Sequence, residues 1–394
     1  MPKKILFLTP RLPFPPISGG VLKTLKMLKY LCKHYNVTLA ALLKDDDNNN
    51  LTAFFNEVEP HDYFFYSFQR ERSFKNYVTS LLYKLPLSIY RNYSKHFQKK
   101  VTPFFSNIDI VIVDHFLMVQ YIPENFKGKV ILHQHNAEHV MWERYAQNFR
   151  WPLKNIISFE AERIEDYERK ICQKANHILA APNDIQILNK LSPSANFIET
   201  LHLGDEQLLD RPKLILPEEN ICLFIGTLSW EANKDGLLWF VQNCWKEISQ
   251  QVPQAKLLVA GGGGKQNEEI CNVLSSFDNI DFLGFVEDLN PLYEKARVFV
   301  APIRFGSGIK VKVINAMYRG LPVVTTSVGT EGIKTCHEKD ILISDSEHDF
   351  VHSTCRLLED NIMWNSISDE SRSLMKNQYT WEKVWKKLEE AING

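Results

Sequence analysis

The segment 301–312, Ala-Pro-Ile-Arg-Phe-Gly-Ser-Gly-Ile-Lys-Val-Lys, combines the residue types that hold a phosphate group. It follows an apolar run typical of a buried strand, and a helix is predicted to begin at its end. Gly306 and Gly308 let the backbone approach a ligand, while the free N–H groups of the helix start and the charges of Lys310 and Lys312 favour an anion. A plain strand-to-helix turn is the alternative interpretation.

Three further glycine-containing segments follow predicted strands. Gly19 and Gly20 open the first predicted helix, Gly226 and Thr227 follow a strand at 221–225, and glycines fill positions 261–264. Such loops can approach phosphates or sugars, but each is also compatible with a turn or a packing contact. The first does not fit G-x-G-x-x-G and the last lacks the Lys-Ser/Thr ending of a P-loop, so we expect no nicotinamide cofactor and no P-loop.

Two histidines at a predicted strand end are the other candidates for chemistry. The sequence His-Gln-His-Asn-Ala-Glu-His occupies 133–139, after an apolar run. Because alternate residues of a strand point to the same side, His133 and His135 are expected on one face, which permits zinc binding. No third ligand with metal spacing is evident nearby, so we expect no metal. A polar site residue and a purely structural pair are the remaining interpretations.

Short apolar runs alternate with amphipathic segments along the chain, which is the pattern of doubly wound, parallel α/β domains. Strands are predicted at 4–8, 36–43, 63–68, 109–114, 130–135, 177–181, 221–225, 255–260, 280–283, 298–301 and 322–326, with the first helix at 19–35 and the last at 381–392. The segment 203–220 lacks periodicity and is the expected linker. Ligands of such domains bind beyond the carboxyl ends of the strands, where the candidate loops lie.

Composition limits the classes of function. The 394 residues are 44% apolar and 24% charged, as in a globular protein of two domains. The near balance of 46 basic and 47 acidic residues argues against a general nucleic-acid binder. Seven scattered cysteines without a C-x-x-C pair favour a reducing, cytoplasmic environment. The first apolar run is too short for a signal peptide, and no run is long enough for a membrane span.

One segment carries an excess of positive charge beside aromatic residues. Residues 1–212 contain 27 basic and 22 acidic residues, whereas the remainder contains 19 and 25. Between 70 and 100, eight basic residues accompany a single acid, Glu71, and are interleaved with six aromatic residues. This composition suits contact with an anionic membrane surface. Solvated helix faces over an aromatic core are the alternative.

With these motifs, the chain resembles the GT-B glycosyltransferases of the retaining, nucleotide-sugar-dependent type, the GT4 or group 1 family. The resemblance covers the whole length. It rests on the Gly19-Gly20 loop, His135-Asn136-x-Glu138, the Gly226 loop, the Gly284-Phe285 turn, the run from Pro302 to Lys312 and the Trp381 helix.

The resemblance implies two doubly wound, Rossmann-like domains facing a central cleft. Residues 1–205 would bind the acceptor, 206–375 would bind the nucleotide-sugar, and 376–394 would form a helix that crosses back to the first domain. The implied activity is metal-independent transfer, with retention, from a nucleotide-diphosphate-sugar to a glycan or lipid-linked acceptor. Its implied setting is the assembly of bacterial surface polysaccharide or glycoconjugates, in the cytoplasm or at the inner face of the membrane.

The resemblance also implies roles for individual residues. His135 would lie beside the transferred sugar, with Arg304 and Lys312 offsetting the charge of the leaving diphosphate. Phe285 and Val286 would contact the base, and Asn315 the ribose. The full set of implied donor-binding residues is Gly19, Gly20, Gly226, Thr227, Phe285, Val286, Gly306, Ser307, Gly308, Ile309, Lys310 and Asn315. The nucleotide-sugar is a co-substrate, and no other cofactor is implied.

Three positions depart from the family's pattern. The Glu-x7-Glu signature reads Ser307 to Asn315, the arginine that often follows Gly226 is Thr227, and the Asn-Gly pair at the linker reads Leu203-Gly204. A neutral amide binds a ribose hydroxyl more weakly than a carboxylate does. Two rivals therefore stay open: a degenerate GT-B subunit that binds nucleotide-sugar without catalysis, and a GT-B enzyme resembling the sugar-nucleotide epimerases.

Overall fold

The structure is a computed structural model that describes residues 2–16, 19–147, 149–201, 203–263, 268–306 and 308–394. The chain divides into two compact units, 1–202 with 384–394, and 203–383. This boundary lies three residues before the predicted division at 205/206. Residues 376–383, which the prediction placed with the returning helix, belong to the second unit.

The described residues of the first unit form a parallel sheet of seven strands in the order β3-β2-β1-β4-β5-β6-β7. The strands are β1 Lys4–Thr9, β2 Asn36–Leu43, β3 Asp62–Ser67, β4 Ile110–Asp114, β5 Lys129–His133, β6 His177–Ala180 and β7 Phe197–Glu199. The helices are α1 Gly19–His34, α2 Leu51–Glu57, α3 Phe74–Leu82, α4 Leu87–Arg91, α5 Lys95–Val101, α6 Glu138–Ala146, α7 Leu153–Lys174 and α8 Pro182–Leu191.

The described residues of the second unit form a parallel sheet of six strands in the order β10-β9-β8-β11-β12-β13. The strands are β8 Ile221–Ile225, β9 Lys256–Ala260, β10 Ile280–Gly284, β11 Val298–Ala301, β12 Val323–Thr325 and β13 Leu342–Ile343. The helices are α9 Glu231–Phe240, α10 Lys246–Gln251, α11 Glu268–Ser275, α12 Asn290–Lys295, α13 Val311–Arg319, α14 Glu347–Glu359 and α15 Asn361–Gln378. The last helix, α16 Trp381–Asn393, begins in the second unit and belongs to the first unit from Val384 onward. The predicted fold class of two doubly wound α/β units is confirmed.

Both faces of the first sheet are covered, which explains why its strands read as continuous apolar runs. In β1, Ile5 and Phe7 belong to one buried cluster, whereas Leu6 and Leu8 belong to another. Since alternate residues of a strand point to opposite faces, each face has its own core. No helix in the described part of the chain is long and apolar enough to cross a bilayer.

The end of α16 packs in the first unit. Its Trp385 ring stacks on Tyr30 with 4.9 Å between ring centres. Lys129 Nζ donates to the carbonyl oxygens of Ala391 at 3.2 Å and Ile392 at 3.0 Å. Because the last carbonyls of a helix have no intrahelical donors and carry partial negative charge, the lysine stabilises this helix end.

Three local predictions need correction. β5 ends at His133, two residues before the predicted end of that strand. The short edge strands β7 and β13 were not predicted, because three and two residues are too few to show an alternating pattern. The linker 203–220 is not wholly irregular, since Glu206–Leu209 forms a turn of 3-10 helix.

Candidate functional site

Each sheet has one place where the direction of winding reverses, and the candidate residues gather there. In the first sheet the reversal lies between β1 and β4, and in the second between β8 and β11. Ligands of open parallel sheets bind at such points, beyond the carboxyl ends of the strands. His135, Gly19 and Gly20 lie near this point in the first unit. The other candidates lie in the second unit.

Asp114, the last residue of β4, organises the site of the first unit. Its Oδ1 atom lies 2.8 Å from His133 Nδ1 and 2.8 Å from His135 Nε2. Thr24 Oγ1 donates to the same oxygen at 2.9 Å, and Thr9 Oγ1 donates to Oδ2 at 3.1 Å. We call these five residues the Asp114 cluster. A carboxylate accepts hydrogen bonds only, so it places a proton on Nδ1 of His133 and on Nε2 of His135.

Charge is unevenly distributed in the Asp114 cluster. Burial alone would raise the pKa of Asp114, but the positive charge of His135 and the hydrogen bonds from both imidazoles hold that pKa well below its ordinary value. Burial lowers the pKa of His133 to about 3, and the charges of Lys23 and His135 act in the same direction. The cluster therefore contains an ionised carboxylate and a neutral His133 at neutral pH.

The expectation that no third metal ligand lies near the two histidines is wrong. One oxygen of Asp114 and one nitrogen of each histidine lie within 4.8 Å of one another, which a metal ion could bridge. The carboxylate oxygen is 2.8 Å from each nitrogen, which is a hydrogen-bond length. The observed arrangement is therefore a hydrogen-bonded triad, and metal independence stays a prediction.

Gly20 lies directly against His135. A Cβ atom at position 20 would be 3.0 Å from His135 Nδ1, so a side chain there would press on the imidazole. Thr9, Gly20, Thr24, Asp114 and His135 also line one pocket of about 140 Å³. The structure thus brings together the predicted residues Gly20 and His135, which are 115 positions apart in the sequence. Gly19 is the first residue of α1, and Ser18 before it lies outside the described residues.

Sequence reasoning missed His115, which lines the same pocket. Its backbone φ is +79°, a value that is costly for a residue with a side chain. Its Nε2 atom lies 3.5 Å from Glu138 Oε1, and its ring centre lies 5.3 Å from that of His135. A polar residue directly after a buried strand, as in Ile-Val-Ile-Val-Asp-His, was the signal available for both Asp114 and His115.

Lys23 places a further cation beneath this site. It is fully buried, and its Nζ atom donates to Thr200 Oγ1 at 2.9 Å. Burial lowers the pKa of Lys23 to about 7, against the attraction of Asp114 and Asp184. Burial also raises the pKa of Asp184 to about 6. The sequence did not indicate that Lys23 is buried, because it is one of several lysines in a helix with a regular apolar pattern.

In the second unit, the loop after β11 has the backbone that its glycines predicted. Gly306 and Gly308 have φ values of +119° and +77°, which residues with side chains rarely adopt. Ser307 between them lies outside the described residues. Arg304 is exposed, with Nη1 3.5 Å from Asp235 Oδ1 and its guanidinium 5.7 Å from the centre of the Trp239 ring.

The two lysines at the start of α13 are both withdrawn from solvent. Lys310 is only 5% exposed, and its Nζ atom donates to Gly308 O at 2.7 Å. Lys312 Nζ donates to Asn233 Oδ1 at 2.6 Å and lies 4.7 Å from the centre of the Phe224 ring. Burial, together with the charge of Lys310, lowers the pKa of Lys312 to about 7.

Asn233 connects Lys312 to the loop after β8. Its Nδ2 atom donates to Thr227 O at 2.9 Å, while its Oδ1 atom accepts from Lys312. Gly226 packs against the same amide, because a Cβ atom there would be 2.8 Å from Asn233 Cγ. The predicted residues Gly226, Thr227 and Lys312 are therefore brought together, and Asn233 is the residue that sequence reasoning did not assign.

The remaining donor candidates occupy different surroundings. Phe285, after β10, is 80% exposed, so its ring is accessible for stacking, and Val286 beside it is half-buried. Ile309 packs on the backbone of Gly332. Asn315 Oδ1 accepts a hydrogen bond from the Asp205 amide at 2.9 Å, so this side chain ties α13 to the start of the 3-10 turn Glu206–Leu209. A role for Asn315 at the ribose stays a prediction.

Comparison of the sequence with known proteins finds similarity to glycosyltransferases. The profile described as "Glycosyl transferases group 1" matches residues 219–360. A Haemophilus influenzae protein described as an uncharacterized glycosyltransferase is 23% identical over 326 residues, 77% of this chain and 82% of that protein. A Klebsiella pneumoniae protein described as lying in the cps region is 27% identical over 171 residues. That match covers 42% of this chain and 44% of the relative, so it spans less than half of the relative's length.

A solved structure extends the likeness of fold to the whole chain. The HepE protein of Anabaena, solved in complex with UDP and glucose, superposes with a TM-score of 0.64. The superposition covers 99% of each chain at 12% sequence identity. At this identity the likeness concerns the fold alone.

Proposed function

We propose that this chain is a group 1 glycosyl transferase of GT-B fold, which transfers a sugar from a nucleotide-diphosphate-sugar to a glycan or lipid-linked acceptor with retention of anomeric configuration. The second unit binds the donor and the first unit binds the acceptor. Bacterial surface polysaccharide or glycoconjugate assembly is the proposed setting, and a relative in a cps region supports it.

The observation that carries this proposal is the combination of a glycine loop and two lysines at the start of α13. A glycine loop with two positive φ values leads into the start of a helix that carries two lysines, the buried Lys310 and the half-buried Lys312. The described partners of Lys312 are neutral, namely the oxygen of Asn233 and the ring of Phe224. Helix N-termini and desolvated ammonium groups bind diphosphate strongly, because water no longer competes for the charge.

The mechanism follows from where charge develops. Cleavage of the bond between sugar and diphosphate leaves negative charge on the diphosphate and positive charge on the sugar. We infer that Lys312, Lys310 and Arg304 stabilise the negative charge of the departing diphosphate. They therefore stabilise the transition state more than the ground state. These side chains can supply that charge without a metal ion, which supports metal-independent transfer.

Retention requires that the acceptor replace the diphosphate on the same face of the sugar. In the proposed step the acceptor oxygen bonds to the anomeric carbon as the carbon–diphosphate bond breaks, and the hydroxyl proton passes to a diphosphate oxygen. His135 is assigned to the transferred sugar, as the family resemblance implies. Its hydrogen bond to Asp114 fixes the orientation of its imidazole and its tautomer.

The proposal is tested in two stages. Native mass spectrometry against UDP-, GDP- and dTDP-sugars identifies the donor, and turnover of that donor is then followed by NMR, which reads the anomeric configuration of the product. Formation of a product with the donor's configuration is expected. Binding without even slow donor hydrolysis would favour the degenerate subunit that Asn315 and Thr227 suggest. Conversion of the donor into its epimer would favour the epimerase-like alternative.

We also propose that the first unit contacts the inner face of an anionic membrane. Phe74 and Leu82 of α3 are 81% and 77% exposed, and Trp151, just before α7, is 80% exposed. Further exposed apolar side chains of this membrane-facing surface are Val78, Leu81, Tyr83, Met141, Tyr145, Leu153, Ile156 and Phe159. The residues of α3 and those of the α7 region lie next to each other, since Arg163 of α7 donates to the backbone oxygen of Ser80 in α3 at 3.1 Å.

Cations border these apolar side chains. Arg72, Lys75, Lys84, Arg150 and Lys154 are all exposed in the same segments. Apolar side chains enter the interface between headgroups and acyl chains while cations attract anionic lipid, and each cation near the surface contributes about 1 kcal/mol. By contrast, Tyr90 and Phe97 are buried, so the predicted aromatic surface is confined to the first part of the segment 70–100.

A further inference from the structure

A second pocket of the first unit is lined by four cations that the mechanism above does not use. It has a volume of about 430 Å³, and its charged lining consists of Arg11, Lys44, Arg70 and Arg91. Asn92 and Gln69 add polar groups to the lining. A sugar carrying one charged group fits a pocket of this size. We call it the basic pocket.

Bonds to neutral groups help to hold three of these cations, Arg70, Arg91 and Lys44, in place. Arg70 donates to the carbonyl oxygen of Tyr90, and its guanidinium lies 4.2 Å from the centre of the Tyr90 ring. Arg91 Nε donates to Arg70 O at 2.7 Å, and Lys44 Nζ lies 3.3 Å from Asn92 Oδ1. The side chains are therefore oriented in advance, which reduces the entropy lost when a ligand binds.

The charges of the three arginines in the basic pocket are not offset by a described carboxylate. Among the side chains that the structure describes, no carboxylate forms an ion pair with Arg11, Arg70 or Arg91, although five other arginines are paired in this way. Burial and the charge of Arg72 lower the pKa of Arg91. The neighbouring carboxylate of Asp47 is turned to backbone amides, accepting from Lys44 N at 2.8 Å and Leu12 N at 3.2 Å. An incoming anion would relieve this repulsion.

The basic pocket adjoins the pocket of the Asp114 cluster. Pro10, Arg11 and His115 line both of them. His115, with its strained backbone, therefore stands where the two pockets meet. A molecule that occupies both would place one end beside Asp114 and His135 and the other among the arginines.

We propose that the basic pocket binds an oxyanion of the acceptor, phosphate or carboxylate, while the acceptor's reacting hydroxyl enters the pocket of the Asp114 cluster. This inference rests on the proposed transferase function and adds the chemical class of the acceptor. Planar guanidinium groups bind both oxyanions through paired hydrogen bonds. A neutral glycan would cover the three arginines without balancing their charge, which disfavours it.

The test uses the full chain and three defined probes. Calorimetry at constant ionic strength compares methyl glucoside 6-phosphate, methyl glucuronide and uncharged methyl glucoside, with the donor nucleotide saturating so that the anion site of the second unit is occupied. As a second way to keep the probes out of that anion site, the same titrations are made without nucleotide on the Lys312→Ala variant. Arg11→Gln is the diagnostic variant, because Arg11 is exposed and no described contact of its side chain supports the fold. Lys75→Gln is the matched control, an exposed cation of α3 outside the pocket.

A charged probe is expected to bind at least tenfold more tightly than methyl glucoside, and Arg11→Gln is expected to remove about tenfold of that affinity. The preferred charged probe identifies the oxyanion as phosphate or carboxylate. Equal affinity for all three probes, or equal losses in Arg11→Gln and Lys75→Gln, would overturn the inference. If the basic pocket fails this test but the wild type still binds nucleotide, the transferase proposal stands. If the wild type binds no nucleotide, the transferase proposal itself fails. Melting temperatures verify that both variants fold.

Discussion

Nucleotide binding should take up a proton through Lys312, so its affinity should fall as the pH rises above neutral. In the free protein, burial lowers the pKa of Lys312 to about 7. A diphosphate beside the ammonium favours the charged form and raises that pKa in the complex. Above pH 7 the free lysine is mostly neutral, and binding must recruit the missing proton.

The expected magnitude follows from this pKa. If Lys312 stays charged in the complex, protonating it costs about 0.8 kcal/mol at pH 7.5 and about 2.7 kcal/mol at pH 9.0. The difference of about 1.9 kcal/mol corresponds to a loss of affinity of roughly 25-fold across this range. The phosphate groups of a nucleoside diphosphate are already ionised between pH 7.5 and 9.0, so they add little to the dependence of affinity on pH.

Isothermal titration calorimetry measures both consequences. The dissociation constant of the cognate nucleoside diphosphate is recorded at pH 7.5 and 9.0, and proton uptake is read from the binding enthalpy in buffers of different ionisation enthalpy. Lys312→Met should bind about 1.5–3 kcal/mol more weakly at pH 7.5 and lose the pH dependence. Lys310→Gln should move the decline to higher pH, because the charge of Lys310 helps to lower the pKa of Lys312. A wild-type affinity that changes less than about twofold, without proton uptake, would refute the reasoning.

Three further outcomes are expected. His135→Ala should abolish most transfer while nucleotide binding and melting temperature stay nearly unchanged; a melting temperature lowered by many degrees, with activity per folded molecule retained, would show a core histidine. Gly204→Ala should destabilise the protein by about 1–3 kcal/mol in denaturant unfolding, because its Cβ would lie 1.9 Å from Asn315 Oδ1, and the cost should shrink in an Asn315→Ala background. Leu82→Ser should weaken co-sedimentation with anionic vesicles, whereas Ile362→Ser, equally exposed in the second unit, should not; equal binding by both would remove α3 from the membrane-facing surface.

Local patterns in the sequence determined much of the fold. Strands covered on both faces, such as β1 and β4, must be apolar throughout, and the segments between them must be amphipathic, so both were predictable from short windows. The loop from Gly306 to Lys310 was predictable for the same reason, because a positive φ strongly favours glycine and a helix N-terminus favours an anion. Every one of these signals lies within about 12 neighbouring residues, which is the length of an average helix and about twice that of an average strand.

The properties that make these residues a site depend on partners far away in the chain. Asp114 unites His133 and His135 with Thr9, which lies 105 positions away. Asn233 meets Lys312 across 79 positions. The pKa of Lys312 follows from burial, which no neighbouring residue in the sequence indicates. Tertiary structure decided these features because hydrogen-bond partners and loss of water are set by the order of strands in the sheet, and that order has no period in the sequence.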